Sequence, residues 1–424
     1  MKKTTLIFVV TLQLMLVVAA LVFACLTYLL PQSSDDPFDQ INAEPIEYLS
    51  GSEVSFTDVI SDTYSNYAVA TNGDVYAWGY NAMGVLGIGD TYNRHVPEPL
   101  TELKGKDIVK VSNAFGYGLA LCSDGKIFGW GWKDRVLLGA PEIPASKPFE
   151  LSLNLGEKII DIAAGQDHAT VITESGKIYT WGMGNYGNLG LGTTYYVAEK
   201  PEEIESFCDD DIVQIVSDIF TTVVVTEGGD VYIWGVQHFS QSYDIYLKEP
   251  TKVEGLNGIH VVQATIGRSM AFLTDEGQIY TWGQNQVGEL GLGDKEPRET
   301  PAHVELLADE TIVQVSSSAN HMLAITEDNK VFAWGYNNRG QTASPVTYVL
   351  VDTFVTEPKQ IDALSDKKIV KVLAGAEFSL AISGDGTIYA WGYGGYGQLG
   401  LDNVQDIIVD PTPLDMFVKK SVEI

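Results

Sequence analysis

Seven Trp-Gly pairs recur through this chain, at Trp78, Trp130, Trp181, Trp234, Trp282, Trp334 and Trp391. Their spacing of roughly 50 residues is the period of a propeller or solenoid, and it restricts the fold more than any local motif does. Five residues before each tryptophan stands a turn residue: Gly73, Gly125, Gly176, Gly229, Gly277, Asn329 and Gly386. Glycine, and after it asparagine, accepts the positive φ that a tight hairpin turn demands.

Each turn lies between two short alternating segments, such as Ala169–Thr173 and Lys177–Trp181. That pattern reads as a β-hairpin repeated seven times. A further strand precedes each hairpin, as in Ile108–Val111, Ile212–Ile215, Ile312–Val315 and Ile369–Val372. A fourth is expected to start at proline, in Pro201–Ile204, Pro250–Val253, Pro301–Val304 and Pro358–Ile361, because a missing N–H costs least on a sheet edge. Four strands per repeat, seven times, make an all-β, seven-bladed β-propeller over residues 54–424. The last outer strand is expected at Pro413–Met416, with Val418–Ile424 pairing onto the first blade to close the ring.

Ala163-Ala164-Gly165-Gln166-Asp167-His168, then Thr173 to Gly182, then Gly187-Asn188-Leu189-Gly190-Leu191-Gly192, resemble the repeat of the RCC1 (regulator of chromosome condensation) superfamily. The resemblance extends over nearly all of 54–424 and implies a seven-bladed propeller that binds proteins on one face. Members of that superfamily include a nuclear guanine-nucleotide exchange factor bound to chromatin and a secreted bacterial inhibitor of β-lactamase. Neither supplies transferable catalytic residues.

The segment after Trp-Gly keeps its glycines in blades 1, 3, 5 and 7, with Asp402 in the last place of blade 7. It reads as eroded in blades 2, 4 and 6, implying longer or differently shaped loops on one rim. Those loops carry Trp132, Phe239, Tyr243, Tyr246, Tyr348 and Phe354, and the matching connection of blade 3 carries Tyr195 and Tyr196. Surface aromatics of this kind either pack over blade ends or form a protein-binding surface. The candidate binding residues are Trp132, Tyr195, Tyr196, Phe239, Tyr243 and Tyr246. The seven repeat tryptophans are assigned to packing between sheets.

Ahead of the repeats, Lys2 and Lys3 precede an uncharged run, Leu6–Leu30. About 25 helical residues reach roughly 37 Å, enough to cross a hydrocarbon core of about 30 Å. Residues 1–5 read as a cytoplasmic N-terminus, 6–30 as a transmembrane signal-anchor and 31–53 as a stalk. Lipidation at Cys25 and cleavage near Ala24 are the alternatives. Each puts the propeller outside the cytoplasm, and with the resemblance this points to a bacterial, cell-surface protein.

The formal charge of −30 opposes nucleic acid as a partner. Gly182–Gly187 and Gly392–Gly397 fit G-x-G-x-x-G, but no helical pattern follows either, so no nucleotide site is expected. His168 and His321 fill one repeat position and are expected to hydrogen-bond within a blade. Asp209, Asp210 and Asp211 read as a solvated loop; no metal or other cofactor is expected. The two cysteines beyond the apolar run, Cys122 and Cys208, make no disulfide framework. The functional expectation is a non-enzymatic, membrane-anchored interaction or adhesion scaffold. An inhibitor or sensor of a secreted or cell-wall enzyme, an enzyme using the central channel, and an exchange factor follow in that order.

Overall fold

Short β-branched segments separated by positive-φ turns pair with their sequence neighbours, and the chain folds into seven four-stranded antiparallel sheets. The computed structural model describes residues 55–131, 146–205, 210–237, 246–346, 353–402 and 406–414. The expected N-terminal segments 1–5 and 6–30, the stalk 31–53 and residue 54, the first of the expected propeller, lie outside the described residues. Among the described residues no helix is long and apolar enough to cross a membrane.

Each blade uses four consecutive strands. Blade 1 is Phe56–Asp62, Ser65–Ala70, Val75–Gly79 and Arg94–Pro99; blade 4 is Ile212–Asp218, Thr221–Thr226, Val231–Val236 and Tyr246–Lys252. The first strand of every blade packs against the first strand of the next, and blade 7 against blade 1, so these strands surround the axis. The second strand is buried along its whole length in all seven blades.

A polar belt ties the first strands together. Lys110 meets Asp161 at 2.5 Å. Gln214 donates to the carbonyl of Ala264 and accepts its N–H; Gln263 does the same with Val315, and Gln314 with Val372. Lys371 pairs with Asp58 across the seam between blades 7 and 1. Desolvation there pulls its ammonium down to about 8. Asn66 and Trp78 also cross the seam, both donating to the carbonyl of Gln398. Blade 7 is complete in Ile369–Ala374, Phe378–Ser383, Ile388–Tyr393 and Ile407–Pro413. The expected closing segment 418–424 lies outside the described residues.

The outer strands differ from expectation in their limits. They are Tyr196–Glu203, Tyr246–Lys252, Arg298–His303 and Phe354–Gln360, so the prolines stand inside them; the last one ends at Pro413 instead of beginning there. The reason is a bulge. Opposite each of Trp78, Trp181, Trp234, Trp282, Trp334 and Trp391, three outer-strand residues face one. The third of them is Pro97, Pro201, Pro250, Pro301, Pro358 or Pro411. At a bulge the ladder bond is already broken, so a residue without an N–H loses nothing.

All seven tryptophans are at most 6% exposed. Several indoles also donate to the loop of the preceding blade. Trp130 bonds to the carbonyl of Val85, Trp234 to Asn188, Trp334 to Glu289 and Trp391 to Gln341, at 2.6–3.2 Å. Glycine is required at Gly87 and Gly291, where a Cβ would stand 2.8 Å from the ring of Trp130 or Trp334.

Blade 6, whose glycine run reads as eroded, keeps the first turn of this loop; residues 347–352 further along it lie outside the described residues. Asn337 accepts the N–H of Thr342 at 3.0 Å, as Asn81 accepts that of Leu86 and Asn285 that of Leu290. Ala343 adopts φ 53°, in the place where other blades use glycine. The loop is set by a buried asparagine and a positive φ, and the run of glycines is one way of supplying the latter. Residues 132–145 and 238–245, in the loops of blades 2 and 4, are outside the described residues.

Candidate protein-binding face

The strand order gives the ring two unlike faces. Hairpin turns between second and third strands, and connections from one blade to the next, lie on one (the hairpin face). Turns between first and second strands, and the long loops after Trp-Gly, lie on the other (the loop face).

The loop face collects the residues that protein interfaces favour. The chain's arginines within the described residues, Arg94, Arg268, Arg298 and Arg339, are all at this end. So are the exposed aromatics Tyr92, Tyr195 and Tyr196. Tyr195, 78% exposed and held at φ 58°, projects just before the outer strand of blade 3. Tyr196 follows it and donates to Glu202 at 2.7 Å.

Between neighbouring blades one pair of positions sets the surface chemistry. The residue before the loop glycine leans on the residue before the next blade's second strand. Tyr186 meets Phe220 at 4.5 Å between ring centroids, and Tyr396 meets Tyr64 at 5.0 Å. Between blades 6 and 7 the same positions hold Arg339 and Glu377, 3.8 Å apart. Arg339 also lies over Tyr393, which meets Tyr396 edge-on, and Tyr80 completes this group across the seam. Burial, with Glu377 as the nearest charge, raises the Tyr64 hydroxyl well above the usual phenol range. It stays neutral and acts as a donor.

Tyr195 and Tyr196, of the six residues expected from sequence, are exposed on this face. Tyr246 is half-buried against Tyr186, at 5.5 Å, so it packs over a blade end. Phe354 likewise packs, on Tyr336 and under Lys295. Trp132, Phe239, Tyr243 and Tyr348 lie outside the described residues. Tyr64, Tyr80, Tyr186, Phe220, Tyr393, Tyr396 and the arginines were missed. A signal existed: Tyr186 and Tyr396 share one repeat position, and Tyr64 and Phe220 share another.

The axial region offers less. Through Nε2, His168 and His321 bond across to the next blade, to Thr222 and Ser379. His321 also bonds Ser318 within its own blade through Nδ1 at 3.1 Å, as expected, whereas His168 has no such bond. Burial lowers both imidazoles to about 3 and keeps them neutral. Asp218, partly accessible but enclosed by the ring, is pushed up to about 6 by desolvation. Among the described residues no group of three or more His, Cys, Asp or Glu is placed to hold a metal ion. Cys122 is buried on the second strand of blade 2; Cys208 and Asp209 are outside the described residues. Asp210 accepts the N–H of Gly228, which accounts for one of its oxygens.

A ring of seven four-stranded blades, each locked to its neighbour by a tryptophan, defines a β-propeller built from repeats of one kind. The RCC1-like domain model matches residues 191–424, and the RCC1 repeat model matches 72–121 and 124–172. The ultraviolet-B receptor UVR8 of Arabidopsis thaliana is 30% identical over 384 residues, covering 88% of this chain and 83% of that one. The E3 ubiquitin-protein ligase HERC2 of Homo sapiens is 33% identical over 326 residues, 75% of this chain but 7% of that protein. Yeast RCC1 (Prp20), solved bound to Kap60, superimposes with a TM-score of 0.70 at 20% identity, covering 88% of this chain and 91% of that one. The chain belongs to the RCC1 repeat family.

Proposed function

We propose that this protein is a non-enzymatic interaction scaffold that receives a protein partner on its loop face. The observation that carries the reading is the segregation of arginines and exposed tyrosines onto that one face. Interface cores are enriched in Tyr, Phe, Trp and Arg and depleted in Lys, Glu and Asp. Partner binding by a related fold agrees with it: Prp20 was solved with Kap60, and its binding to Gsp1p and histones is described with a second structure.

The N-terminal sequence supports the finer reading. Lys2 and Lys3 followed by the apolar run 6–30 would anchor the propeller, on a stalk at 31–53, outside the cytoplasm at a bacterial cell surface. There it would serve adhesion or assembly.

Protease shaving of intact source cells tests the location: loss of the propeller from unpermeabilised cells supports it, and protection contradicts it. Cross-linking capture with the tagged full chain tests the scaffold. One saturable partner should be recovered by the wild type and lost with Tyr92→Ser, Tyr195→Ser and Tyr196→Ser combined. Undiminished capture by that variant would remove the loop face from the account.

A further inference from the structure

We propose that the hairpin face carries a second docking site, on the arc of blades 4 to 6, for a basic segment that also presents aliphatic side chains. This goes beyond the loop-face reading and does not depend on it.

The starting point is a repeated oddity of the first strands. Their register shifts at the second residue, which is left without a ladder partner. That residue is Val213, Val262 or Val313 in blades 4, 5 and 6, and each is 44–54% exposed. Because the first strands surround the axis, these valines stand together at the mouth of the channel on the hairpin face. The position is aliphatic in six blades, with Val109, Ile160 and Val370 50–59% exposed in blades 2, 3 and 7, so the valines alone do not select an arc. Blade 1 shows that threonine also fits: the Thr57 hydroxyl donates to the carbonyl of Val69 at 3.1 Å. An aliphatic group kept in water, where threonine fits, gains its free energy only by being covered. Leu306, on the short connection from blade 5 to blade 6, adds a further 55% exposed apolar side chain.

Charge identifies the kind of group that would cover them. The hairpin turns are bonded to the chain two residues ahead of each valine. Glu227 donates its N–H to the carbonyl of Asp211 at 2.7 Å, Asp275 to that of His260 and Glu327 to that of Thr311. The turns therefore set Glu227, Glu276 and Glu327, all exposed, beside the valine arc. Lys330 is already paired with Glu310 and Asp328, and Lys252 with Asp230. Lys158 and Lys368 hold the matching position in blades 3 and 7. Blades 4–6 have Asp211, Thr311 and a His260 already paired with Asp275 there, so the border is more acidic along blades 4–6. Apolar contacts inside an acidic border suit a cationic amphipathic segment and repel an acidic one.

The test uses the full-length chain in the lipid or detergent carrier in which it purifies, with empty carrier subtracted. The probe is a Lys/Leu amphipathic peptide bearing a photoreactive leucine, compared with Lys/Ser and Glu/Leu counterparts. The site predicts saturable one-to-one binding of the Lys/Leu peptide and cross-links to blades 4–6. It also predicts at least tenfold weaker binding of the Lys/Ser peptide. Val213→Thr, Val262→Thr and Val313→Thr combined should weaken binding at least tenfold with melting unchanged, as should Glu227→Gln, Glu276→Gln and Glu327→Gln. Tyr195→Ser with Tyr196→Ser should change nothing. Binding that survives the threonine variant, that is no weaker for the Lys/Ser peptide, or that never saturates would overturn the proposal. Cross-links on the loop face would do the same.

Discussion

The two faces of the ring are made by the same seven repeats and yet have opposite chemistry. On the hairpin face, turns such as Glu174-Ser175-Gly176 and Glu327-Asp328-Asn329 are short, exposed and acidic. On the loop face, a buried asparagine folds the loops of blades 1, 5 and 6, and glycine stands in its place in blades 3 and 7. Neighbouring positions carry tyrosine and arginine. The difference teaches where a repeat can vary. A two-residue turn admits only the residues its dihedrals allow, so its surface stays uniform. A loop pinned at Asn337 leaves another position free for Arg339, and the loops of blades 3 and 7 use the same position for Tyr186 and Tyr396.

If the loops are structural as well as presenting, breaking a tryptophan lock should disturb the loop face before the hairpin face. Trp334→Ala is expected to cost about 3–5 kcal/mol in denaturant unfolding. Hydrogen exchange should rise first around Glu289, whose carbonyl loses its donor. An equal rise at the turns of blade 6 would show that the faces are not separable.

The buried histidines sharpen the contrast by pH. Both are held neutral in the fold, lowered to about 3 from the ordinary 6.5. Below pH 6.5 the unfolded chain binds protons that the folded chain refuses. This stabilising contribution is thus complete above pH 6.5 and drains as the pH falls toward 3, by about 1.4 kcal/mol per pH unit for each histidine. His168→Gln with His321→Gln should flatten the acid limb of melting temperature against pH, measured relative to the wild type.

Glu289 gives a smaller effect of the opposite sign. It is 2% exposed, accepts the N–H of Val287 through one oxygen, and has no partner for the other. Burial raises its pKa, so the fold favours the protonated form and loses stability as the pH rises through the raised value. Gln341 and Gln398 occupy the same loop position in blades 6 and 7. Glu289→Gln should therefore stabilise the chain at neutral pH by about 1–3 kcal/mol, and less in acid. Ala343→Gly, which relieves a positive φ, should add about 0.5–1 kcal/mol. Smallest of all for stability is Tyr195→Ser with Tyr196→Ser, within about 0.5 kcal/mol. A large loss of melting temperature there would mean that these tyrosines are structural.

The architecture was legible in the sequence because it is repeated: tryptophan, turn glycine and outer-strand proline fall in register seven times or nearly so. Legibility stopped where letters and geometry part. Blade 6 lacks the glycines but keeps the first turn of the loop, since Asn337 and a left-handed Ala343 do the same work. The prolines signalled an edge strand correctly, but the bulge that admits them is a property of two strands together. Val213, Val262 and Val313 look like ordinary strand residues until the register shift turns them outward. The candidate site was only partly readable for a similar reason. Tyr195 and Tyr196 were identified as loop aromatics, whereas Tyr64 and Phe220 lie next to core strands and become surface residues only when the neighbouring blade brings Tyr396 and Tyr186 against them.

The central claim is that the loop face is the one that receives the partner. A photo-crosslinking amino acid placed at Tyr195 on the loop face, or at exposed Asn72 in the blade 1 hairpin turn, tests it on intact source cells. The account predicts one discrete adduct from position 195 and none from position 72. The reverse pattern, or equal adducts from both, would contradict it.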